Sequence, residues 1–67
     1  MKPEEIQAGK TYLMDSGRKR HAIAIKHRSL GQCVDYRQVL KNGQLGYKTY
    51  CRLTTFARRC VSEVPNG

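Results

Sequence analysis

The side chains best suited to chemistry in this sequence are His21, His27, Cys33, Cys51 and Cys60. No Cys-x₂₋₄-Cys pair of the kind zinc modules use is present. His21 and His27 are six positions apart, about 20 Å along a strand at ~3.3 Å per residue, too far to share one ion. A cysteine nucleophile needs a depressed pKa, which a neighbouring cation can supply. Arg52 follows Cys51 and Arg59 precedes Cys60, but strand neighbours alternate faces, so Arg52 is expected to point away from Cys51. No local cysteine-enzyme signature accompanies any of the three. The carboxylates offer no positioned acid–base pair either: Asp15 falls in a turn, Glu63 lies near the end, and Asp35 reads as a surface partner of Arg37. The six glycines form neither Gly-x-Gly-x-x-Gly nor a Walker loop. The expectation is a protein that is not an enzyme and holds no metal and no cofactor.

A different pattern does recur, cations interleaved with tyrosine. Lys48, Tyr50 and Arg52 occupy alternate positions, Arg18, Lys19 and Arg20 are contiguous, and Lys26 and Arg28 follow. Thirteen Lys and Arg against five Asp and Glu leave a net charge of +8, a field that concentrates polyanions and speeds their encounter. A tyrosine between two cations offers a ring for an unpaired base while the cations hold phosphates. The expected nucleic-acid-binding set is therefore Arg18, Lys19, Arg20, Lys26, Arg28, Lys48, Tyr50 and Arg52, with DNA or RNA as partner. The alternative partner is an acidic host protein, with Arg18 to Arg20 and Arg58-Arg59 as steering charges.

Short strands must position these residues. Residues 1–9 read as a leader in which Pro3-Glu4-Glu5 starts one helical turn and Gly9 ends it. Residues 10–64 read as a single β-barrel domain, and 65–67 as a frayed terminus. Lys10 to Met14 is a first strand, stopped by Asp15-Ser16-Gly17. In Arg18 to Arg28, period-two alternation puts Ile23 and Ile25 on one face and Arg20, Ala22, Ala24, Lys26 and Arg28 on the other. Val34 and Tyr36 oppose Asp35 and Arg37 in a third strand, Gln32 to Leu40. Lys41-Asn42-Gly43 then predicts a hairpin, because Asn and Gly both tolerate positive φ. The fourth strand, Gln44 to Leu53, alternates Leu45, Tyr47, Thr49, Cys51 and Leu53 with Gly46, Lys48, Tyr50 and Arg52. Thr54 is the expected N-cap of a short helical turn over 54–58, and Cys60 to Val64 a fifth strand.

Strands this short with turns at this spacing predict a mainly β protein, a small antiparallel barrel. The expected core is Tyr12, Ile23, Ile25, Val34, Tyr36, Leu45, Tyr47, Cys51, Leu53 and Phe56. A chain of this length buries only about 60% of its unfolded surface, so the core is thin. The polar, acidic start carries no signal-peptide apolar region, and no apolar run approaches the ~20 residues of a membrane span. With an odd number of cysteines, the expectation is free thiols in a reducing cytoplasm, no membrane contact, and a monomer or weak homo-oligomer.

The run Gly9-Lys10-Thr11-Tyr12, Gly17-Arg18-Lys19-Arg20, Val34-Asp35-Tyr36-Arg37, then Cys51-Arg52-Leu53 with Phe56-Ala57-Arg58, resembles small uncharacterised proteins of bacteria and their phages. That resemblance spans most of Gly9 to Arg59 and implies an SH3-like barrel. It implies no particular activity.

Overall fold

Two tight turns of one design set the first and third hairpins. Gly43 N–H donates to the Leu40 carbonyl at 2.9 Å and Leu40 N–H donates to the Gln44 carbonyl at 2.8 Å. Around Gly17 the pattern repeats, with Gly17 N–H on the Met14 carbonyl at 3.0 Å and Met14 N–H on the Arg18 carbonyl at 2.8 Å. In each the glycine alone takes positive φ, 85° at both positions, as a three-residue hairpin loop requires. The hairpin falls at Lys41-Asn42-Gly43 as expected, and Asn42, which tolerates positive φ, does not adopt it. Its Oδ1 instead accepts from Gln44 N–H at 3.0 Å, closing the loop from the side chain.

In this computed structural model, which describes residues 1–65, the strands are β1 Thr11–Met14, β2 Lys19–Arg28, β3 Gly31–Val39, β4 Leu45–Arg52 and β5 Cys60–Val64. They form one antiparallel sheet in the order β4-β3-β2-β1-β5. β4 and β5 lie at opposite edges and do not pair, so the sheet is open. The expected frayed end lies, for Asn66 and Gly67, outside the described residues.

Helix α1, Leu53–Arg59, covers one face of the sheet. Its buried residues Leu53, Phe56 and Ala57 fall at i, i+3 and i+4, one helical stripe. The N-cap is Arg52 without a side-chain cap bond; the expected cap, Thr54, is an exposed residue inside the helix. Phe56 meets Tyr12 edge-on at 5.8 Å and Tyr36 tilted at 5.5 Å. Met14, Ala22, Val34 and Cys60 complete the floor of this core. Residues 1–9 belong to it as well. After the 3₁₀ turn Pro3–Glu5, Ile6 is buried, and Gln7 N–H donates to the Tyr12 hydroxyl at 2.8 Å.

Three register irregularities interrupt the sheet. One is in β5, where Leu13 pairs with Ser62 and Met14 with Cys60, so that Val61 is extra. The other two, in β2 and β4, break the alternation read from the sequence. In β2, Ala22 pairs with Tyr36 and Ala24 with Asp35, leaving Ile23 as the extra residue. Ala22 consequently faces the core, and Ile23 and Ile25 are only half-buried. In β4, Arg37 pairs with Lys48 but Val39 with Leu45, so an extra residue falls at Gly46-Tyr47. Leu45 is thereby 44% exposed and Tyr47 95% exposed, where strict alternation had put both in the core. A bulge adds one residue without a partner and turns the preceding side chains over.

Candidate nucleic-acid interface

Cross-strand pairs sit side by side on one face of a sheet, so the register arranges the outer face, opposite α1, in rows. His21, Arg37 and Lys48 form one row. Ala24, Asp35 and Tyr50 form the next, and Lys26, Cys33 and Arg52 the one after. Arg28 pairs with Gly31 at the end of the β2–β3 hairpin. Five of the eight expected binding residues, Lys26, Arg28, Lys48, Tyr50 and Arg52, therefore share one surface.

Of the other three, Lys19 has the outward register of His21 but lies at the far end of β2, where with Lys41 and with Arg18, which precedes the strand, it lines a groove of about 560 Å³. Arg20 is on the opposite face because it precedes the Ile23 bulge. Its guanidinium lies 4.6 Å from the Tyr36 ring centroid, with Nε buried and unpartnered. The same bulge separates the two histidines. His21 faces outward and is hydrogen-bonded to Thr11 Oγ1 at 2.9 Å, whereas His27 pairs with Gln32 and takes the other face. Among the described residues no cluster of His, Cys, Asp or Glu gathers metal ligands.

Asp35 organises the centre of the outer face. It is 1% exposed, not the surface partner of Arg37 that its spacing suggested. Arg28 Nη2 donates to Asp35 Oδ1 at 2.7 Å, and Lys26 Nζ stands 3.5 Å from Oδ2 without hydrogen-bond geometry. The Arg28 hydrogen bond is the chief cause holding the Asp35 carboxyl below the usual carboxylate range, against the opposing effect of burial. The same bond raises the Arg28 guanidinium above its ordinary value. Arg28 also lies 4.4 Å from the centroid of Tyr50, a cation–π contact. One face of the Tyr50 ring is thus occupied, while the residue remains 54% exposed.

Alternation alone marked Lys48, Tyr50 and Arg52. It missed Arg37, exposed beside Lys48, because Asp35 had been given to it as a partner. Neither Cys51 nor Cys60 has a depressed thiol pKa. Cys51 and Cys60 are both pushed up, chiefly by burial, Cys60 to about 11. Cys60 Sγ contacts Met14 Sδ at 3.7 Å. No disulfide joins the three cysteines, and among the described residues no helix is long and apolar enough to cross a membrane. Comparison of the chain with known protein families, curated proteins and solved structures finds no match.

Proposed function

We propose that this protein binds nucleic acid on the outer face of β2, β3 and β4, with unpaired bases preferred over duplex. The observation that carries the reading is the placing of Lys26, Arg28, Arg37, Lys48 and Arg52 on the same face as the half-exposed Tyr50, with Asp35 buried among them. Phosphates pair with the cations, and a base stacks on the face of Tyr50 that Arg28 leaves free. Arg28 is held from below by Asp35, so the platform is ordered before ligand arrives. An SH3-like connectivity is part of the same proposal, as is kinship with small bacterial and phage proteins. It is supported by the strand order and by the helix inserted between β4 and β5.

The test is a salt titration of binding to single- and double-stranded DNA and RNA. Lys48→Ala and Arg52→Ala each weaken binding and reduce the log–log salt slope by about one, the release of one counterion per phosphate contact. Tyr50→Ala leaves that slope unchanged but weakens single-strand binding by ~1–3 kcal/mol. A folded Tyr50→Ala protein that binds every polyanion like the parent overturns the stacking platform. A parent protein that retards no nucleic acid overturns the whole reading and favours an acidic protein partner.

A further inference from the structure

The edge of the sheet at β4 is a separate surface from its outer face. β4 pairs only with β3, so on its other side half of its backbone N–H and C=O groups meet no strand. Lys48, Thr49, Tyr50 and Arg52 are exposed, and among the described residues no strand pairs on this side of β4. The bulge at Gly46-Tyr47 protects only the start of the strand, as edge bulges do. From Lys48 to Arg52 the register with β3 is unbroken. Beside the bulge, Leu40, Leu45 and Tyr47 remain exposed around a groove of about 690 Å³ that also takes in Arg37 and Lys48. Among the described residues no carboxylate lines it.

We propose that β4 accepts an extended acidic–apolar peptide segment of another protein as a sixth strand, by edge pairing along Lys48 to Arg52. Backbone edges offer ladder hydrogen bonds that a peptide can complete and a nucleic acid cannot. The outward positions Lys48, Tyr50 and Arg52 specify what stands across from them. Opposite charges pair favourably across strands and like charges do not. The incoming strand therefore places a carboxylate opposite Lys48, an apolar β-branched or aromatic residue opposite Tyr50, and a carboxylate opposite Arg52. A second copy of β4 would set lysine and arginine against each other in a chain of net charge +8, which disfavours self-pairing. The pattern acid-x-apolar-x-acid is symmetrical, so it serves a parallel or an antiparallel strand. This inference does not rest on nucleic-acid binding, although both uses draw on Lys48, Tyr50 and Arg52.

The probe is the capped peptide Thr-Glu-Thr-Val-Thr-Glu-Thr, titrated into the ¹⁵N-labelled protein. Expected are saturable amide shifts confined to β4 and its β3 partners, with slow hydrogen exchange gained along Lys48 to Arg52. N-methylation of alternate peptide amides on the pairing side weakens binding at least about tenfold, because ladder bonds are lost. A peptide of the same composition with its glutamates adjacent binds at least about tenfold more weakly. Equal binding by that rearranged peptide, or shifts centred on Arg18 and Lys19, overturns the proposal in favour of bulk charge. Concentration-dependent self-association through the same amides, without peptide, overturns it in favour of a second copy. Absence of any saturable shift at millimolar peptide overturns it outright.

Discussion

Truncation of Phe56 to alanine tests whether α1 holds this sheet together. Phe56 is 0% exposed, and its ring stands 5.8 Å from Tyr12 and 5.5 Å from Tyr36. Removing a buried phenylalanine destabilises by ~3–5 kcal/mol, the transfer loss plus a cavity the neighbours fill only in part. About 0.5–1.5 kcal/mol of that belongs to each aromatic pair. A domain of this size holds only ~3–5 kcal/mol in all, so Phe56→Ala is expected to be largely unfolded at 25 °C. Phe56→Leu keeps apolar volume but forfeits both ring contacts, and should lose ~1–3 kcal/mol, less than the alanine variant. Urea unfolding followed by far-ultraviolet circular dichroism and tyrosine fluorescence measures both. An alanine variant within ~1 kcal/mol of the parent would refute the packing argument, since it would mean α1 does not clamp β1 against β3.

Three further outcomes are expected. Asp35 has a folded-state pKa below its unfolded value near ~3.9, so its contribution is complete above that value. The contribution is lost as pH falls through the folded pKa; melting temperature against pH in acid should flatten in Asp35→Asn, and an unchanged profile would discount the Arg28 pair. With its pKa near 11 and its side chain buried, Cys60 should resist iodoacetamide at pH 8 in the native protein and react once urea unfolds it, which mass spectrometry resolves. Gly43→Ala meets no atom within 4 Å, so only its φ of 85° opposes it, for a loss of ~1–2 kcal/mol by thermal unfolding.

How far the sequence reached can be read from particular residues. Strand boundaries were legible because Gly17, Gly31 and Gly43 mark turns that other residues resist. The helix after β4 was legible from Phe56, and the strand Cys60–Val64 from the residues between it and Pro65. The joint surface of Lys48, Tyr50 and Arg52 also followed from local alternation, since it lies downstream of the β4 bulge. Whatever lay across a bulge did not. Ile23 and Gly46-Tyr47 carry no residue type that marks an unpaired position, so Arg20, Ala22, Leu45 and Tyr47 were assigned to the wrong faces. Asp35 was misread for another reason: its partner is Arg28, seven positions earlier on the neighbouring strand, and only the pairing of β2 with β3 brings them together. Ile6 was missed because a lone apolar residue in a polar leader has no period to reveal it.

The extra residue in β2 makes this chain far more sensitive to length than to composition. Ile23 acts as a phase boundary: upstream of it Ala22 is inside and His21 outside, and downstream Ile25 turns inward and Lys26 outward. Losing one codon there would not remove a large contact, since Ile23 is only half-buried. It would demand that the upstream half of β2 turn over, carrying His21 into the core and Ala22 into solvent, or that the Asp15–Gly17 loop surrender a residue instead. Point substitutions at Ile23 change one side chain, whereas a deletion reassigns the address of every residue back to Lys19. Among related chains, substitutions should therefore be spread along β2, while insertions and deletions should collect in the hairpin loops.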